Sequence, residues 1–162
     1  MKTIQVKKGE IIQRRGELNS KIYAVEKGLL RTYSIDEKGR EHVFMFAPEG
    51  WIVTDASAVN GPCELFIEAL EDSTLCTFNA ESEIVNASPL ALMKRIATLQ
   101  KRAIMLMSAS AIERYQDFLE TYPDIVQRVP QKMIASYLGI TPEALSKVKG
   151  ESVKSNVRRF LI

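Results

Sequence analysis

Residues 129–150, reading V-P-Q-K-M-I-A-S-Y-L-G-I-T-P-E-A-L-S-K-V-K-G, hold two short helical patterns broken at Gly139. That break constrains the fold more than any other feature of the chain. Before it, Met133, Ile134, Tyr137 and Leu138 fall at i, i+1, i+4 and i+5, on one face of a helix. After it, Thr141 is a good N-cap and Pro142 sits at the first helical position, where a missing N–H costs nothing. Leu145 and Val148 then point inward, and Leu138-Gly139-Ile140 turns the chain between two aliphatic anchors. This pattern predicts a helix-turn-helix, whose second helix lies in the DNA major groove. Glu143, Ser146, Lys147 and Lys149 remain on the outer face, able to reach base edges or phosphates. A plain helical hairpin is the competing reading, and the N-cap, the proline and the polar outer face argue against it.

The charge distribution agrees. The whole chain carries a formal net charge of only +2. From Arg128 onward, however, seven basic residues face two acids, a net +5, while the first 127 residues carry −3. A basic end on a mildly acidic body suits phosphate attraction, although solubilising tails also look like this. No apolar run approaches the length of a membrane span, and the N-terminus lacks a signal-peptide core, so a cytoplasmic protein is expected. Cys63 and Cys76 are two isolated thiols, too few for a disulfide framework or for an iron–sulfur cluster within one chain.

Glycines divide the rest. Six of the eight fall at positions 9, 16, 28, 39, 50 and 61, a spacing expected of short strands joined by tight turns. Residues 22–25, 29–35, 42–46, 66–67 and 74–78 have strand character, and 36–39 and 47–50 read as turns. From Asn79 the period becomes helical, with Asn79 and Ser88 as candidate N-caps. A long helix runs from Pro89 to about Ser108. Met93, Ile96, Ala97, Gln100, Ala103, Ile104 and Met107 form one seam, and Leu92, Leu99 and Leu106 an adjacent one at strict sevens. One face is expected to cover the sheet and the other to meet a second copy, with Met93, Ile96, Leu99, Gln100, Ala103, Ile104 and Met107 at the dimer contact. Ser110 to Glu113 is a capping box opening the next helix. The expected fold is α+β: an antiparallel β jelly roll with the long helix over residues 1–108, then a helix-turn-helix domain over 109–162.

This order resembles the Crp–Fnr family of bacterial transcription regulators over essentially the whole chain. The resemblance is carried by 6–10, 22–31, 67–72, Glu113-Arg114-Tyr115 and, most specifically, 129–147. It implies a cyclic-nucleotide-binding-like first domain, a homodimer, double-stranded DNA as partner and RNA polymerase as a further one. Recognition helices of the family often present Glu, Ser and Arg at the positions held here by Glu143, Ser146 and Lys147. A carboxylate accepts from the cytosine amino group, and a cation donates to guanine. Lysine lacks the bidentate fork of arginine, a departure from the pattern. Gln131, Lys132, Thr141 and Lys149 complete the expected DNA-facing set. In the region that holds cyclic AMP in some members, Thr54-Asp55 stands in place of a Gly-Glu pair and could hold a hydroxyl. No Lys or Arg occurs between Glu41 and Lys94, so a cyclic phosphate has no cation there, and no cofactor is expected. The effector, if any, is left open.

Rival classes fare worse. A metal-dependent jelly-roll enzyme needs several His or carboxylate ligands, and this chain has one histidine, His42. Glu68, Glu71 and Asp72 read as a solvated acidic turn rather than an acid–base pair. Neither a catalytic residue nor a metal ligand is expected. The alternative is a small-molecule-binding β-roll whose C-terminal helices mediate protein contacts.

Overall fold

The computed structural model describes the backbone of residues 2–18, 20–59, 61–79 and 88–159, and their side chains except at 58, 59, 79, 91 and 153–159. The chain falls into two compact units, Met1–Ser88 and Pro89–Ile162. The long helix therefore groups with the C-terminal helices and not, as the sequence suggested, with the strands. The reason is local: Lys101 of that helix pairs with Asp117 at 2.8 Å, and Arg102 reaches the Tyr137 carbonyl at 3.2 Å.

Among the described residues the first unit is a β-roll of eight short strands: β1 Lys2–Val6, β2 Ile11–Gln13, β3 Lys21–Lys27, β4 Leu30–Ile35, β5 Glu41–Ala47, β6 Ile52–Val53, β7 Phe66–Ala69 and β8 Ser73–Asn79. They form two antiparallel sheets, in the orders β1-β8-β3-β6 and β2-β7-β4-β5. The first and last strands pair directly, from Lys2 against Thr77 to Val6 against Ser73. The core comes from alternate positions of several strands, among them Val6, Tyr23, Val25, Leu30, Met45, Val53, Ile67 and Leu75. Fully burying such a side chain stabilises by roughly 1.5–3 kcal/mol.

Five of the six periodic glycines adopt positive φ, as tight turns require. At Gly28 the reason is doubly steric. Its φ is +100°, and a Cβ there would lie 2.1 Å from the Ser73 hydroxyl, which accepts from the Leu29 amide. Asn79 is the last residue of β8, and the helix expected after it lies outside the described residues.

The second unit contains α1 Pro89–Ser108, α2 Ala111–Thr121, α3 Gln131–Leu138 and α4 Pro142–Arg159, with a 3-10 turn at Ile125–Gln127 between α2 and α3. The Ser110–Glu113 capping box is present in both directions: Glu113 N–H donates to Ser110 Oγ, and Ser110 N–H donates to Glu113 Oε2. Tyr115, Phe118, Ile125, Ile134, Leu138, Leu145 and Val148 build the core. Tyr137 closes it, its ring 5.5 Å from those of both Phe118 and Tyr122.

Candidate nucleic-acid interface

Gly139 sets the angle of the site. At φ +67° it takes the left-handed conformation that ends α3, and the Ile140 amide reaches back to the Ala135 carbonyl at 3.0 Å. Two residues on, Thr141 Oγ1 accepts from the Ala144 amide at 3.2 Å, and Pro142 begins α4. Leu145 and Val148 are buried against the preceding helices, with 0% and 6% of their surface exposed. This burial fixes the rotation of α4 and so decides what faces outward.

Glu143, Ser146 and Lys147 are exposed on that outer face, and Lys149 is partly buried beside it. Gln131 and Lys132, at the start of α3, are exposed as well. The Ser146 hydroxyl donates to the Pro142 carbonyl at 3.0 Å, leaving its lone pairs to accept. Its own backbone amide and the Thr141 hydroxyl hold the Glu143 carboxyl below the ordinary glutamate range, so it stays an acceptor at neutral pH. Among the described residues no ion pair reaches Lys132, Lys147 or Lys149. Lys154, Arg158 and Arg159 lie beyond the described side chains.

Along α1 the residues expected at a dimer contact are exposed in the single chain. Met93, Ile96, Ile104 and Met107 show 56–86% of their surface, and Leu99 38%; Gln100 and Ala103 are exposed too. On the adjacent seam, Leu92 and Leu106 are 50% and 40% exposed. Both seams of α1 are thus open to solvent in one chain.

The β-roll treats its polar residues differently. Asp55, expected to hold a ligand hydroxyl, is only 4% exposed, and its carboxylate is filled from within. It accepts from the Glu64 and Leu65 amides at 2.8 Å each, from Gln13 at 3.4 Å and from the amide and hydroxyl of Ser57. Asp55 is thus a staple closing the 55–65 loop, and of the expected pair only Thr54 is exposed. Arg31 is also turned inward: it pairs with Glu41 and Glu68 at 2.6 Å each and lies 4.1 Å over the Tyr33 ring. This corrects the acidic turn read from the sequence at Glu68, which belongs to that buried pair; Asp72, paired with Lys7 at the surface, stays solvated as read.

A cleft of about 280 Å³ opens nearby, lined by Ile12, Gln13, Glu17, Leu18, Ser20, Lys21, Tyr23 and Cys63. Burial, together with the charges of Asp55 and Glu17, pushes the Cys63 thiol up and keeps it neutral. Burial also pushes the Tyr23 phenol up to about 12. His42 is a surface strand residue beside Asp36, and no cluster of potential metal ligands occurs among the described residues.

Sequence reasoning gave Arg102 and Arg114 no role at the site, although Arg114 lies in one of the segments that carry the family resemblance. Helical spacing alone does not distinguish either from a surface cation, yet both are anchored on the helix-turn-helix.

Comparison with known proteins extends the picture. Residues 3–83 match the cyclic nucleotide-binding domain family. The chain is 28% identical to the regulatory protein HlyX of Actinobacillus pleuropneumoniae, over 94% of this chain and 72% of that protein. It is 30% identical to the nitrogen fixation regulation protein FixK of Rhizobium meliloti, over 88% of this chain and 71% of that one. Among solved structures, FixK2 from Bradyrhizobium japonicum superposes with a TM-score of 0.76 at 20% identity, covering 96% of this chain and 85% of that one. A CRP/FNR-family transcriptional regulator from Thermus thermophilus superposes with a TM-score of 0.71 at 21% identity, over 95% and 87%.

Proposed function

The chain belongs to the Crp–Fnr family of transcription regulators, and from that premise we propose that it reads DNA as a homodimer through α4. It is a sequence-specific DNA-binding regulator; the residues that carry this out are the proposal. The observation behind them is the geometry of α4: a capped helix with Leu145 and Val148 buried and Glu143, Ser146 and Lys147 exposed together. Lys147 donates to guanine and Glu143 accepts from cytosine, giving base readout; Lys149, Lys132, Gln131 and Thr141 serve the phosphates. The open seams of α1 supply the two-fold contact, setting two recognition helices about one DNA turn, roughly 34 Å, apart.

The β-roll works as an effector or docking domain without cyclic AMP. Asp55 is committed to its own loop and Arg31 to two carboxylates, so a cyclic phosphate would be desolvated without a partner in the 55–65 loop. The protein works in the cytoplasm, without catalysis, and contacts RNA polymerase when bound.

Selecting bound duplexes from a random pool, then titrating the winner against random DNA at two salt concentrations, tests the reading. A two-fold symmetric site with strongly salt-dependent affinity is expected. Salt-independent or undetectable binding would shift the C-terminal helices to a protein-contact role.

A further inference from the structure

Two helices of the second unit end close together, and both ends are held by arginine. The last carbonyls of any helix lack intrahelical donors and carry the negative end of its dipole. In α3 the Ala135 and Ser136 carbonyls are satisfied by the amides of the Gly139 turn. The next two are taken by side chains from other helices. The Tyr137 carbonyl accepts from Arg102 Nη2 of α1 at 3.2 Å, and the Leu138 carbonyl accepts from Arg114 Nη1 of α2 at 3.1 Å.

Arg114 does more. Its Nη2 donates to the Leu106 carbonyl at 3.0 Å and its Nε to the Ala109 carbonyl at 3.1 Å. One guanidinium therefore ties the end of α1 to the end of α3. Gly139 sits against the same group, since a Cβ there would meet Arg114 Nη1 at 3.6 Å and Leu106 at 3.7 Å. Arg102 lies 3.7 Å over the Tyr137 ring while bonding that residue's carbonyl. Only a planar fork with several fixed donors reaches three carbonyls in divergent directions; a lysine ammonium is a point charge on a flexible stem.

From this geometry we infer that Arg102 and Arg114 are positioning residues. They lock the helix-turn-helix to the end of α1, so that the separation of two recognition helices follows the pairing of two α1 helices. The inference rests on the dimeric DNA-binding reading above. Without the clamp, each recognition helix keeps its own base contacts but loses its fixed place relative to the other.

The test uses the full chain, the selected operator and a duplex with one half-site scrambled. Wild-type protein is compared with Arg114→Lys and Arg102→Met, with sedimentation and thermal unfolding in parallel. The variants are expected to remain dimeric and to hold the single half-site within about twofold of wild type. The advantage of two half-sites over one should fall by about tenfold, because that advantage is an effective concentration set by geometry. An unchanged two-site advantage overturns the clamp. So does a parallel fall of half-site affinity, operator affinity and melting temperature, which is the mark of a merely structural role.

Spacer variants probed with wild-type protein decide the matter if the arginine variants do not fold. Insertion of one or two base pairs between half-sites should cost about tenfold or more if the reading heads are locked; retained affinity overturns the clamp. Failure of the dimeric reading itself shows separately, as a wild-type protein with no two-site advantage at any spacing.

Discussion

Buried charge in the β-roll and exposed charge on α4 are held in different ways. In the β-roll, several charged side chains close on partners within the unit: Arg31 on Glu41 and Glu68, Asp36 on Arg40 and His42, Lys7 on Asp72, Asp55 on the amides of its own loop. In the helical unit, Arg102 and Arg114 are tied down, while Glu143, Lys147 and Lys132 face outward. Buried polar groups in a low-dielectric interior must be satisfied internally, and Asp55 and Arg31 obey that rule. Groups intended for a large external partner are left to be satisfied by it. The contrast supports the proposal that recognition resides on α4 and not in the 55–65 loop.

The comparison can be broken most forcefully at α1. Ile104→Glu places a carboxylate on the open seam, against its symmetry mate, and should cost the dimer several kcal/mol, about 3–5. Sedimentation should show monomers, with operator affinity lost far more than fold. A parent chain that is monomeric at tens of micromolar, with one half-site bound as well as two, removes the two-fold reading.

Next in size is Asp55→Ala. It strips acceptors from the Glu64 and Leu65 amides, both held at 2.8 Å, and should lower stability by about 2–4 kcal/mol. Asp55→Asn should recover part of this, because one oxygen still accepts. Thermal unfolding reads the effect, and half-site affinity of the folded fraction should not change. A melting temperature equal to that of wild type would mean the loop closes without its staple.

Smaller again is Lys147→Ala, expected to weaken specific binding by about 1–3 kcal/mol and to relax preference at one base pair per half-site. Lys149→Ala should instead weaken all sequences alike and reduce the salt slope. Identical profiles for both variants would place the reading face elsewhere on α4.

The smallest expected effect is none. Cyclic AMP at micromolar levels should leave both melting temperature and operator affinity unchanged, because Asp55 is filled and Arg31 is paired. A saturable calorimetric signal would contradict the inward-facing picture and point to backbone amides near Thr54.

Much of this is legible in the sequence. Glycine spacing marked the turns, since positive φ is cheap for that residue alone, and five of the six periodic glycines use it. The helix-turn-helix was legible because capping and apolar periodicity are local: Thr141, Pro142, Leu145 and Val148 all take the places their spacing predicts. The capping box at Ser110 is the same kind of signal. Strand β4 shows where locality ends. Its alternation separates Leu30 and Thr32 from Arg31 and Tyr33, yet all four are buried, because both faces of that strand are covered up to Tyr33. Periodicity reports one buried face and says nothing of a second.

Although β1, β2 and β6 were not among the strands it marked, the sequence by itself determined most of the elements and their order, the turn that angles α4 and the residue types that α4 displays. Each depends on contacts within a few residues, where backbone geometry and side-chain period act directly. Tertiary structure alone decided that Asp55 is a staple, that Glu68 belongs to Arg31 and that Arg114 bridges the ends of α1 and α3. Those roles depend on which amide, guanidinium or carbonyl lies within 3 Å or so across the fold, a distance set by sheet pairing and helix packing that no residue type encodes.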